Sequence, residues 1–295
     1  MKEECRECHL NLFGIPTLII ADDPHLLGTA RAAHADWLAD HPAAMPEIIL
    51  RLACGDAPSD EVSPAIAVDG SRLTLDGGGI TGWADAARRE AACVVPTGLI
   101  GDPARLAETV TDTLLLFIAT RNGRVPVHAS GIMIGATAVL LAGPSGAGKS
   151  TLALTARDRG LGVLSDDTLY VETQPLRIWG WPRPIHLLPA DAPAGDHDVR
   201  VRAGRVKHAI PIGGRPVPVA SRAALVVLGR GDVVELERLD PRAAMARLER
   251  LEPGFDLLPD QSRSTIAALS AGGAWRLRLS DDPHAAIDRL IEAFE

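Results

Sequence analysis

The feature that most limits how this chain can fold is an octapeptide, Gly143-Pro144-Ser145-Gly146-Ala147-Gly148-Lys149-Ser150, which matches G-x-x-x-x-G-K-[ST] at every fixed position. Its flanks are the ones such a loop needs. An apolar strand, Ala138 to Ala142, runs into it, and a helix carrying Leu152, Ala153 and Leu154 leaves it near Thr151. A strand that passes through a glycine-rich turn into a helix belongs to an α/β fold. The glycines let backbone N–H groups wrap closely around phosphate oxygens, and the helix N-terminus faces the anion with its partial positive charge. Residues Gly143 to Thr151 are therefore the expected phosphate contacts, with Lys149 reaching the β- and γ-phosphates and Ser150 ligating Mg²⁺. Only Lys2, Lys149 and Lys207 are lysines in this chain, so one at this position is hard to ascribe to chance.

A phosphate loop needs a carboxylate at a neighbouring strand end. Gly162-Val163-Leu164-Ser165-Asp166-Asp167 supplies an apolar strand closed by two adjacent aspartates. Consecutive strand residues point to opposite faces, so the pair should divide the work, one holding Mg²⁺ and the other facing an acceptor hydroxyl as general base. His128, in Val127-His128-Ala129-Ser130-Gly131, opens a strand that should run beside the loop. A histidine there is placed to meet the γ-phosphate or the catalytic carboxylate.

The rest of the chain bounds the setting. At 295 residues and 46% apolar content it can bury a core without staples, and its four cysteines do not make a secreted framework. Cys5 and Cys8, followed by His9, have the spacing of half a zinc site, but nothing completes it, and the reading is a ragged, reduced N-terminus. A net charge of −8 argues against nucleic acid as a partner. No apolar stretch approaches the roughly 20 residues of a membrane span, and the first ten residues are too charged for a secretory signal. The expectation is a cytoplasmic protein.

Asp-Pro pairs mark helix starts at Asp23-Pro24, Asp102-Pro103, Asp240-Pro241 and Asp282-Pro283. The second opens a stripe of Leu106, Val110, Leu114, Phe117 and Ile118, and the last one of Ile287, Leu290, Ile291 and Phe294; both are packing faces. Short strands are expected over 17–21, 47–52, 65–68, 72–75, 92–95, 131–141, 162–164, 169–172, 176–179, 225–228 and 275–279. Residues 1–100 read as a small α+β domain of unknown role and 101–295 as the P-loop domain. Residues 180–222 lack periodicity and read as a long loop. Between 177 and 222, eight basic residues against three acidic make an electropositive stretch, read as a mobile flap over nucleotide and acceptor. Within it Arg200, Arg202, Arg205 and Lys207 are the candidate phosphate or substrate contacts, and Trp179 and Trp181 the candidate apolar contacts to a peptide.

Taken in order, His128-Ala129-Ser130-Gly131, the loop from Gly143 to Ser150, and Ser165-Asp166-Asp167 resemble the catalytic domain of the HPr kinase/phosphorylase family. The resemblance covers residues 120–172 well and the remainder loosely. It implies a fold like that of phosphoenolpyruvate carboxykinase. It also implies transfer of a phosphoryl group from ATP or pyrophosphate, with Mg²⁺, to a serine hydroxyl of a protein. Carried onto this chain, the resemblance implies that Lys149 binds phosphates, Ser150 the metal and His128 the transferring group, while Asp166 and Asp167 share the metal and base roles, with a leaning to Asp167 as the base and Asp166 at the metal. Thr151 stands where the family usually has Glu, and the later Leu-Glu-Val-Arg-Gly-type signature is replaced by the sequence from Pro175 to Ile185. The pattern is similar to divergent relatives that phosphorylate a serine of a ribosomally made precursor peptide, lasso-peptide tailoring kinases among them. Self-association is a further expectation from the family. The alternatives are a non-catalytic nucleotide-binding regulator and a small-molecule hydroxyl kinase; a GTPase is disfavoured because no N-K-x-D motif is present.

Overall fold

The computed structural model describes residues 7–41, 45–56, 63–195, 197–202, 205–212, 219–248 and 258–295, with Val201, Arg202 and Arg205 described through their backbone alone. The chain divides into two compact units, 1–124 and 125–295.

The first unit is built on a seven-stranded mixed sheet. Its strands are β1 (Glu7–Leu12), β2 (Ile15–Ala21), β3 (Ile48–Gly55), β4 (Ala65–Asp69), β5 (Arg72–Gly77), β6 (Ile80–Asp85) and β7 (Glu90–Pro96), in the order β1-β2-β3-β7-β6-β5-β4. The β2-β3-β7 centre is parallel and the outer pairings are antiparallel. Cys8 and His9, read from sequence as part of a ragged terminus, lie in the edge strand β1, where Cys8, Leu10 and Leu12 alternate into the core. Cys5 lies outside the described residues. Burial pushes the Cys93 thiol up to about 12, which makes it a core residue and not a reactive one.

Helices begin where the Asp-Pro pairs place them. Asp23 caps α1 (Pro24–Ala33) by accepting from the N–H groups of His25 and Leu26 at 2.8 and 2.9 Å, and Asp102 caps α2 (Pro103–Leu106). The expected long helix is broken by a π-turn at Ala107–Thr111 before α3 (Asp112–Arg121), yet Leu106, Val110, Leu114 and Ile118 are all fully buried. That stripe packs against β3, β6 and β7 of the preceding sheet. Asn122 reinforces the attachment through bonds with Ala86 O and Arg89 Nε. The boundary therefore falls after Arg124 and not at 100. Periodicity reveals that a helix buries a face, not against which unit.

The second unit, in chain order, contains β8 (Val125–Val127), β9 (Ala129–Ile134), β10 (Thr137–Ala142), α4 (Lys149–Asp158), β11 (Gly162–Ser165), β12 (Leu169–Thr173), β13 (Leu176–Trp179) and β14 (Ile185–Leu187). It continues with β15 (Asp198–Arg202), β16 (Arg205–Ile210), β17 (Val219–Ala220), β18 (Arg222–Arg230), β19 (Glu235–Leu239), α5 (Pro241–Leu248), α6 (Pro259–Ala271), β20 (Ala274–Leu279) and α7 (Pro283–Phe294). The run expected as one strand over 131–141 is a hairpin of β9 and β10, turned at Gly135 with φ 54°.

The central six-stranded sheet has the order β11-β9-β10-β18-β20-β19. Its residues partition by parity. Ile132, Val139, Leu141, Val226 and Leu277 face a core shared with α4, α7, β14 and β16. Ala129, Ala138, Leu140 and Leu225 face the other core, against the four-stranded sheet β17-β13-β12-β8 and helix α6. Each apolar layer buries one face of the sheet, the standard solution for a sheet of this kind. Residues expected as a loop over 180–222 instead contribute a three-stranded sheet, β14-β16-β15, whose Ile185, Leu187 and Ile210 are core residues. Among the described residues, no helix is long and apolar enough to cross a membrane.

Candidate functional site

Strand β9 is antiparallel to both of its neighbours, so β10 and β11 run in the same direction and end at the same edge of the sheet where β9 begins. The register pairs Ala142 with Ala129 and Ser165 with Gly131. That arrangement brings the start of β9 with His128, the end of β10 with the loop, and the end of β11 with Asp166 and Asp167 to one place. Close packing supports it: a Cβ on Gly131 would lie 2.9 Å from Leu169 Cδ2 and 3.2 Å from Leu164 Cβ.

The loop leaves β10 at Ala142 and enters α4 at Lys149. Gly146 and Gly148 hold φ of 81° and 103°, the left-handed region that glycine tolerates and other residues resist. Gly143 is needed for another reason, because a Cβ there would sit 2.9 Å from Ala147 Cβ. Lys149 folds over its own loop, donating to Gly143 O at 2.6 Å and Pro144 O at 3.3 Å. A cavity of about 280 Å³ lies in front of it. His128, Ser145, Gly146, Gly148, Lys149, Ser150, Thr151 and Asp167 line that cavity, together with His186, Asp191, Lys207 and Arg230.

The two aspartates occupy opposite environments. Asp167 is exposed, with Oδ1 3.4 Å from His128 Nδ1. Asp166 is buried; its Oδ2 accepts from His186 N at 3.0 Å, and its side chain is hydrogen-bonded to that of Ser150. Ser130 Oγ donates to the Asp166 carbonyl, and Ser165 Oγ to Trp181 O at 3.1 Å, which pins the end of β11. Burial pushes the Asp166 carboxyl up, with Asp167 adding to the shift and His186 N, Ser150 and Lys207 opposing it. Burial likewise lowers the His128 pKa, opposed by Asp167 and assisted by Lys149, which favours a neutral ring.

The residues present fit a divalent cation. Asp166 Oδ1 is a buried carboxylate oxygen without a hydrogen-bond partner, next to the Ser150 hydroxyl. No group of three His, Cys, Asp or Glu side chains gathers among the described residues. An all-protein cage is thus absent there, whereas Mg²⁺ typically takes one or two protein oxygens and completes its shell with phosphate and water.

Of the four basic residues singled out in 200–207, Lys207 lines the cavity. Arg200 pairs with Lys207 across β15 and β16, and Arg202 with Arg205, in a hairpin rather than a structureless flap; the side chains of the last two lie outside the described residues. Trp179 and Trp181 are buried, at 7% and 8% exposure, so they are not surface contacts for a peptide. Trp181 is held edge-on by Tyr170 and under the Arg183 guanidinium. Sequence reasoning missed His186, Asp191 and Arg230. Arg230 closes β18, which runs parallel to β10, so it emerges at the loop edge and its Nη2 lies 3.4 Å from Gly146 O. A charged residue at the end of the apolar run Leu225 to Leu228 was the available signal.

No family model matches the chain and no curated protein matches it. Among solved structures, the Hpr(Ser) kinase/phosphatase from Coxiella burnetii is similar at a TM-score of 0.29 and 16% identity, over 57% of this chain and 87% of that one. A likeness of that degree carries no functional argument.

Proposed function

We propose that this protein is an ATP- and Mg²⁺-dependent kinase that phosphorylates a serine hydroxyl of a peptide or small protein, such as a ribosomally made precursor. The observation that carries the reading is the meeting of Lys149, Ser150, His128 and both aspartates at one sheet edge, from three separate strands. Lys149 leaves its loop carbonyls for the phosphates and neutralises charge as the terminal group departs. Ser150 and Asp166 hold Mg²⁺, which when bound offsets the negative charge of the phosphates. Asp167, exposed to the cavity, takes the hydroxyl proton while the acceptor oxygen bonds to the γ-phosphorus and the bond to the leaving ADP breaks. A neutral His128 steadies Asp167 by hydrogen bonding without competing for its charge. Lys207 and Arg230 add positive charge at the cavity wall.

The test is a transfer assay. Protein, Mg-ATP labelled at the γ-position and serine-containing peptides encoded beside the gene are incubated, and the products are mapped by mass spectrometry. Label on a serine, lost when that serine is alanine or when Asp167 is asparagine, is the expected result. ATP binding with no label on any acceptor would favour a non-catalytic regulator.

A further inference from the structure

The space around the phosphate loop does not end at the main cavity. Gly148, Thr151 and Arg230 also line a second cavity, of about 110 Å³, whose far wall is the turn between β20 and α7, with Leu279, Ser280 and Asp281. His128 and Asp167 line only the first cavity and Asp281 only the second. Gly148, Thr151 and Arg230 are thus common to the cavity that holds His128 and Asp167 and to the one that holds Asp281.

We propose that this second cavity is the sugar subsite of the phosphoryl donor, with Asp281 accepting hydrogen bonds from the ribose 2′ and 3′ hydroxyls and the base left outside. The assignment rests on the donor reading given above. Three features support it. Asp282 is committed to capping α7 through the N–H groups of His284 and Ala285, which leaves Asp281 as the carboxylate of the pair at the cavity. Arg230 stands at the junction of the two cavities, near Gly146 O, where the α- and β-phosphates of such a ligand pass. Finally, the lining suits a sugar: Ser280 and Asp281 offer polar atoms, and no aromatic side chain lines the cavity to stack a base. The donor is then selected by its sugar and its phosphates, and purine identity counts for little.

Titration calorimetry on the full chain tests this with four Mg²⁺-loaded probes: ATP, GTP, 2′,3′-dideoxy-ATP and tripolyphosphate. ATP and GTP should agree within a factor of about three. Dideoxy-ATP should bind at least about tenfold more weakly than ATP, since it lacks both hydrogen bonds to the charged acceptor. Asp281→Ala should weaken ATP and GTP by the same factor and leave dideoxy-ATP and tripolyphosphate unchanged. Asp281→Asn, which keeps an acceptor oxygen and the shape of the turn, should show a smaller loss of the same kind and gives the reading should the alanine variant melt early. Failure of every probe to bind overturns the donor reading and the subsite with it. ATP binding that ignores both Asp281 substitutions, that equals dideoxy-ATP, or that exceeds GTP more than tenfold overturns the subsite alone.

Discussion

Gly180 does not line the cavity at the glycine-rich loop, yet replacing it should damage the site. A Cβ at this buried position would lie 2.3 Å from the carbonyl oxygen of Leu164 and 2.9 Å from its carbonyl carbon. Those atoms are backbone, so no rotamer change relieves the contact. Reaching an ordinary van der Waals separation requires about 1 Å of main-chain movement two residues before Asp166. Overpacking of this kind costs about 1–3 kcal/mol, and the reduced freedom of the unfolded alanine chain returns only about 0.4–1 kcal/mol. A net loss of about 1 kcal/mol in a unit of this size lowers the melting temperature by about 2–4 °C. Displacing the carboxylate by a comparable distance should cut phosphoryl transfer by about 100-fold. Gly229→Ala is the control, since nothing lies within 4 Å of its Cβ position and its φ is not in the left-handed region; it should melt about 1–4 °C above the wild type. Thermal melts of both variants, with the transfer assay alongside, decide the matter. A Gly180→Ala protein that melts with the wild type and transfers at full rate would refute the claim that this contact sets the position of β11.

Asp166→Asn should raise the melting temperature of metal-free protein at pH 7 while abolishing Mg²⁺-dependent transfer. Because burial raises the folded pKa of Asp166, its carboxyl supports the fold below the unfolded value and loses that contribution as pH rises through the folded one; the advantage of the variant should therefore vanish in acid melts, and a variant less stable than wild type at pH 7 would contradict the reasoning. Asp167→Asn should bind Mg-ATP with native affinity in calorimetry but lose about 100-fold or more in turnover, the usual worth of a general base; equal loss of both would place Asp167 in binding instead. Gly148→Ala forces alanine to φ 103° and its Cβ to 3.1 Å from Leu279, so it should weaken ATP binding about tenfold or more, measured in the same titration, with native-like affinity as the contrary result.

The glycine-rich strand-to-helix turn was legible because its requirements are local: glycines for left-handed φ, a strand before, a helix after. Capping was legible for the same reason, since Asp23, Asp102, Asp240 and Asp282 act within three residues of themselves. What escaped was decided across the chain. The hairpin of β9 and β10 hid inside one apolar run because Gly135 and Ala136 interrupt it without polarity. The sheet of β14, β15 and β16 read as a loop because its strands are short and rich in arginine, and its core contacts come from residues that look isolated in sequence. The two tryptophans read as surface anchors because nothing local tells a buried Trp from an exposed one. Arg230 ends one strand and Asp281 follows another, both far along the chain, and only the strand order β10-β18-β20 brings them to the edge that carries the glycine-rich loop.

The central claim, that the cavity at this sheet edge receives a phosphoryl donor held by Lys149, is tested most directly by the thermal shift on adding Mg-ATP to the wild type and to Lys149→Ala. At a free concentration of 100 times Kd a ligand bound only to the folded state adds about 2.7 kcal/mol, which at about 2–4 °C per kcal/mol should raise the wild-type melting temperature by about 5–11 °C. Lys149→Ala should melt near the wild type without ligand and show little shift at the same concentration. A wild-type protein indifferent to Mg-ATP, or an equal shift in Lys149→Ala, would contradict the account.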